Sequence, residues 1–184
     1  MHTAQSRPIA SRDPVAIRNV DRVAFDTHTD TLLLIVINTN EYKLVTLCRN
    51  TSNASEWLRV DNISTRISFV SIPPQLVIAV CDPRVLLAKL GDATVYVFNV
   101  SAEHSVSASG SVSAESPVIY GLSCIHHEGE TLIAFSHSKS VSLHRLTSLP
   151  LVLRPLHRVE LAEPYQIIFH KEQLLVADWN SVIK

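Results

Sequence analysis

The chain has 184 residues, 46% of them hydrophobic and 18% charged, and sixteen basic against seventeen acidic residues leave a formal net charge of -1. With no run of either sign, this balance argues against a broad electrostatic surface for nucleic acid. The aliphatic run Leu32–Ile37 is only six residues long, far short of the roughly 20 that a membrane-spanning helix needs.

Residues 1–19, carrying Pro8 and Pro14, read as a disordered or strand-completing N-terminal tail, and 20–184 as one repeating β unit. The first copy, RVAFDTHTDTLLLIVINTNEYKLVTL (Arg22 to Leu47), is three apolar strands separated by polar turns. A polar connection from Arg49 to Ser55 leads to Glu56–Val60, an expected outer strand, and Ser64–Ile72 adds a strand that the repeat does not require. The second copy is LVIAVCDPRVLLAKLGDATVYVFNV (Leu76 to Val100), punctuated by Asp82-Pro83 and Gly91-Asp92. Ser101–Ser116 follows, with seven serines alternating with Val, Ala and Gly. It reads as an exposed outer strand or as a loop open to phosphorylation, with the strand favoured. The third copy runs from Ile119 to Leu146, and a fourth starts at Tyr165 and stops after DWNSVIK.

The second strands of the four copies start near Leu32, Val85, Leu132 and Leu174, at intervals of 53, 47 and 42 residues. A four-stranded propeller blade takes roughly 40 to 50 residues. No window carries a sustained apolar stripe at helical spacing. The expected fold is therefore all-β: a partial β-propeller of about four WD40-like blades, the last incomplete. An open arc leaves sheet edges and apolar faces exposed, so the isolated chain is expected to associate or aggregate.

Candidate chemistry is thin. Asp26, His28 and Asp30 in FDTHTDT have the spacing of a metal clip, but also that of a polar hairpin turn, which is the preferred reading. His126-His127 occupies the matching position of the third copy. The other histidines are scattered, and no G-x-S-x-G elbow accompanies any Ser/His/Asp set. With only four glycines, the chain has no phosphate-cradling loop. No catalytic residue, cofactor or metal is therefore assigned, and the chain is expected not to be an enzyme.

Cys48, Cys81 and Cys124 lie far apart in predicted strands, without Cys/His ligand spacing. They are expected to be buried free thiols in a reducing compartment. Four Asn-x-Ser/Thr sequons occur, at Asn50, Asn53, Asn62 and Asn99. The segment MHTAQSRPIASRDP lacks the apolar core of a signal peptide, so these are expected to be idle in a cytoplasmic protein.

PRVLLAKLGDATVYVFNV resembles the middle strands of a WD-type propeller blade. Phe98-Asn99 and His144-Arg145 stand where such blades carry Trp-Asp, and Asp178-Trp179 has the reverse order in another place. The units RVAFDTHTDTLLLIVINTNEYKLVTLCR, SPVIYGLSCIHHEGETLIAFSHSKSVSLHRL and PYQIIFHKEQLLVADWNSVIK are most similar, in order and apolar rhythm, to N-terminal propellers of the Hermansky–Pudlak syndrome 3 family. That family serves in the biogenesis of lysosome-related organelles. The resemblance implies a non-enzymatic scaffold in vesicle trafficking that docks other subunits of a larger complex. Any contact with endosomal or lysosome-related membranes would then run through partners. A scaffold propeller of an RNA- or DNA-processing complex, without direct nucleic-acid contact, is the alternative. Trp57, Trp179, Tyr42 and Tyr165 are the candidate partner anchors, since aromatic side chains carry much interface energy. Packing between blades is the competing fate of each ring.

Overall fold

The computed structural model describes residues 17–118 and 120–178, apart from the side chains of 54 and 55. Fourteen strands make up its regular structure, with no helix among the described residues. The first sheet is β1 (Val20–Asp26), β2 (Thr31–Asn38), β3 (Glu41–Asn50) and β4 (Asn53–Ser68). The second is β5 (Leu76–Cys81), β6 (Arg84–Lys89), β7 (Asp92–Val100) and β8 (Val106–Val118). The third is β9 (Gly121–His127), β10 (Glu130–Ser136), β11 (Ser140–Ser148) and β12 (Leu151–Glu160). A two-stranded sheet, β13 (Pro164–His170) with β14 (Gln173–Asp178), follows. Strand order follows chain order in every sheet, and neighbouring strands are antiparallel. The expected second strands at Leu32, Val85, Leu132 and Leu174 lie in β2, β6, β10 and β14. The chain is thus an all-β protein of four-stranded, blade-like meanders.

Local chemistry sets the hairpins. Gly91 and Gly129 take φ of 82° and 80° in the β6–β7 and β9–β10 turns, with open space around the missing Cβ. Left-handed backbone of this kind costs glycine little and matches the strand twist. The Ser-rich segment is an outer strand, since β8 covers all but its first five residues. The segment from Ser64 is not an extra strand. It continues β4, whose register with β3 shifts between Glu41/Lys43, Thr46/Leu47 and Arg49/Asn50. Those bulges let one long strand stay paired across a shorter partner.

Side-chain alternation places a core between successive sheets. Leu33, Ile35 and Leu44 of the first sheet meet Val85, Leu87 and Phe98 of the second. Leu86, Val95 and Val97 on the other face of the second sheet meet Leu122, Ile133 and Phe135 of the third. Ala134 and Val141 of the third pack on Ile167 of the last. Polar links cross the same junctions. Arg22 Nε donates to Leu76 O at 3.0 Å, the Asp61 carboxylate accepts from Val106 N at 3.0 Å, and Phe169 N donates to Ser123 Oγ at 3.0 Å.

The expectation of three free thiols is corrected here. Cys81 and Cys124 form a disulfide, with Cα atoms 5.6 Å apart across the junction between second and third sheets. Their separation of 43 residues is close to one repeat, so the two occupy opposed places on β5 and β9, the first strands of consecutive sheets. Only the repeat geometry brings them together, which is why local ligand spacing gave no sign of the bond. Cys48 is the free cysteine, and burial pushes its thiol pKa up.

Candidate functional site

The two ends of the stack differ from its interior. On the outer face of the first sheet, Val23 is 57% and Phe25 42% exposed. Cross-strand pairing places them beside Leu34 and Leu32 of β2. Trp57 of β4 meets Phe25 edge-on, with centroids 6.4 Å apart. The Arg49 guanidinium lies over the Trp57 ring at 5.1 Å and pairs with Asp30 at 3.2 Å. At the other end Ile167 is buried against the third sheet, so alternation turns Ile168 away from it. Ile168, 56% exposed, is cross-strand to Leu175, 48% exposed. Val176 of β14 is also exposed. Among the described residues no strand pairs with the outer edge of β14, whereas β2, β6 and β10 each have a third strand there.

The four expected aromatic anchors fall in different places. Tyr42 is a correction: it is fully buried, its hydroxyl donates to Pro74 O at 2.6 Å, and its ring packs on Phe69. Its position in β3 directs it into the first junction, where burial raises the phenol pKa. Trp57 is half-buried at the first end, and Tyr165 is exposed beside Tyr120, with centroids 5.7 Å apart. Trp179 lies outside the described residues. The sequence reading missed Phe25, Ile168 and Leu175, although strict alternation in RVAFD and QIIFH marks one outward residue in two.

FDTHTDT is a hairpin turn: the Asp26 carboxylate accepts from His28 N at 3.1 Å and Thr29 Oγ1 at 2.6 Å. His28 Nε2 is 3.5 Å from Asp82, in the second sheet. His127 Nε2 lies 3.8 Å from both Glu128 and Glu172. Among the described residues no group of three or more His, Cys, Asp or Glu is placed to hold a metal ion. No helix among them is long and apolar enough to cross a membrane.

A buried polar chain lies within the second junction. His137, Ser142 and His144 are 3%, 3% and 1% exposed. His137 Nδ1 is 2.8 Å from Pro117 O, and a carbonyl only accepts, so that nitrogen carries the proton. In neutral His137 the Nε2 then accepts from the Ser142 hydroxyl at 2.7 Å. Ser142 Oγ in turn accepts from His144 Nε2–H at 2.9 Å. This order leaves His144 Nδ1 a buried acceptor with no partner. Desolvation lowers the His144 pKa from 6.5; Glu115 opposes that shift and His137 adds to it.

The unfolded chain therefore binds a proton at His144 before the folded one does. Stability is full above the unfolded value near 6.5 and falls as pH drops toward the lower folded value. The slope for one proton is at most about 1.4 kcal/mol per pH unit. Thermal melts between pH 7 and 5 should show a falling midpoint, and His144→Leu should flatten that dependence. An unchanged slope would contradict the lowered His144 pKa as its source.

The architecture defines a class: all-β proteins of stacked four-stranded meanders. No family model matches the chain, and no curated protein matches it. A crystal structure of a protein from Lactobacillus plantarum is similar over 79% of this chain at 14% identity, with a TM-score of 0.40. The chain spans 57% of that protein's length.

Proposed function

We propose that the chain is part of a divergent WD-like β-propeller and works as a non-enzymatic scaffold that holds protein partners. Exposed Ile168, Leu175 and Val176 on the last sheet are the observation that carries this reading. Apolar side chains exposed on a sheet gain burial energy when a partner covers them, and neighbouring ones mark contact sites. The rigid stack beneath keeps them in place. The sequence resemblance supports subunits of organelle biogenesis as the partners, and a nucleic-acid-processing assembly is the alternative source. Co-purification from cells at native abundance, followed by mass spectrometry, separates the two by the identity of the subunits recovered.

Leu175→Lys/Val176→Lys should reduce recovery of the bound subunits at least tenfold while leaving the circular dichroism spectrum unchanged. Both residues are exposed, so the fold loses little by the change. Full recovery with this variant, or no stoichiometric partner for the wild type, would refute the reading.

A further inference from the structure

The disulfide and the four sequons bear on one question, the compartment in which the chain folds. Idle sequons are expected in the reducing compartment that free thiols imply, and the Cys81–Cys124 bond removes that ground. The two cysteines are 5% and 9% exposed and belong to different sheets, so the bond closes as the second junction assembles. Closing it passes two electrons and two protons from the thiols to a disulfide-exchange oxidant. Such bonds form and persist in the secretory lumen or outside the cell, and cytosolic reductants keep thiols free.

The sequons differ in what their side chains do. Asn50 and Asn53 border the β3–β4 turn, and both amide nitrogens donate to the Glu56 carboxylate, at 3.0 and 2.8 Å. A sugar on either nitrogen crowds the carboxylate that it already binds. Asn62 of β4 and Asn99 of β7 are exposed, and neither side-chain amide has a hydrogen-bond partner among the described residues. Their backbones stay in the ladder, Asn62 opposite Val45 and Asn99 opposite Ser107. A bulky group on either Nδ2 therefore breaks no hydrogen bond of the fold.

We propose that the chain folds in an oxidising secretory compartment and is N-glycosylated at Asn62 and Asn99. The donor is an oligosaccharide carried on a lipid pyrophosphate. The asparagine Nδ2 attacks its anomeric carbon, the C–N bond forms, the C–O bond to the pyrophosphate breaks, and an amide proton passes to a base of the transferase. Ser64 and Ser101, two residues on, supply the hydroxyl that completes each motif. The inference goes beyond the scaffold reading, since it fixes the side of the membrane on which partners are met. Neither asparagine lies on the last sheet, so Ile168 and Leu175 stay open to a partner.

The test is mass spectrometry of the full chain purified from its native cells, before and after an amidase that removes N-linked glycans. The untreated chain should run two steps above its unmodified mass, and the amidase should collapse it to one species. In heavy-oxygen water that treatment should turn Asn62 and Asn99 into labelled aspartate and leave Asn50 and Asn53 unlabelled. Asn62→Gln and Asn99→Gln should each remove one step, and so should Ser64→Ala and Ser101→Ala, which keep the asparagine. A non-reducing digest should also yield Cys81 and Cys124 in one cross-linked peptide pair. An unmodified native peptide at Asn62 or Asn99 would overturn the assignment at that residue. Glycan confined to Asn50 or Asn53, or free Cys81 and Cys124 thiols in the native protein, would overturn the inference as a whole. Subunit capture that depends on Leu175 and Val176 would leave the scaffold reading standing after any of these failures.

Discussion

Replacing Cys81 and Cys124 by serine is expected to cost the fold about 4 kcal/mol, from the closure entropy of a 43-residue loop. The bond joins first strands of consecutive sheets, so losing it frees the second junction to part before either sheet melts. For a domain of this size the melting midpoint should fall by roughly 10 °C. Urea denaturation of the oxidised protein and of Cys81→Ser/Cys124→Ser gives the difference directly. A loss below about 1 kcal/mol would mean that the sheets hold together without the cross-link. Cys48→Ser offers the control, since Cys48 is not bonded and should shift the midpoint little.

Phe135→Ala carries the other large expected effect, about 3–5 kcal/mol. Phe135 is fully buried in the second junction, and its ring meets the His144 imidazole at 5.2 Å and 67°. Truncation leaves a cavity between two sheets and removes the apolar wall beside the His137–Ser142–His144 chain. Chemical denaturation of the variant at pH 7 measures the loss, and a cost under about 1.5 kcal/mol would show that this junction collapses onto the gap. Because the disulfide and Phe135 belong to one core cluster, their effects should not add independently. A triple variant lacking both is expected to be largely unfolded, given net stabilities of about 5–15 kcal/mol.

Strand periodicity was legible because each strand buries one face against a neighbouring sheet, so Val, Leu and Ile recur at every second position. LLLIVI in β2 and VLLA in β6 depart from that alternation because both of their faces are covered. Turn chemistry was equally plain at Gly91-Asp92 and in FDTHTDT, where short-range hydrogen bonds fix the backbone. The bulged length of β4 was not legible, since Arg49–Ser55 and the segment after Asp61 read as breaks when they are register shifts. Nor was the disulfide, which depends on how far one repeat carries Cys81 toward Cys124. Tyr42 shows the limit for the candidate site: an aromatic residue in a strand points inward or outward by parity alone, and it points inward. The outward set, Val23, Phe25, Ile168 and Leu175, becomes a site only because their sheets stand at the ends of the stack.

This end effect links the fold to the proposed work. Interior sheets have both faces matched and every edge strand in its meander, so they present little beyond polar turns. The terminal sheets present apolar surface at Val23, Phe25, Ile168 and Leu175, which a partner can cover. Rigid support matters as much as the exposed groups, because a partner that covers a preformed sheet meets backbone that is already ordered.

Amide hydrogen exchange across β14 tests the central claim most directly, comparing the free chain with the complex recovered from cells. Among Leu174 to Ala177, the alternate amides that point away from β13 should exchange fast in the free chain and slow at least tenfold when the partner is bound, with β6 and β10 unchanged. Equal exchange at those β14 amides in both states would contradict the account.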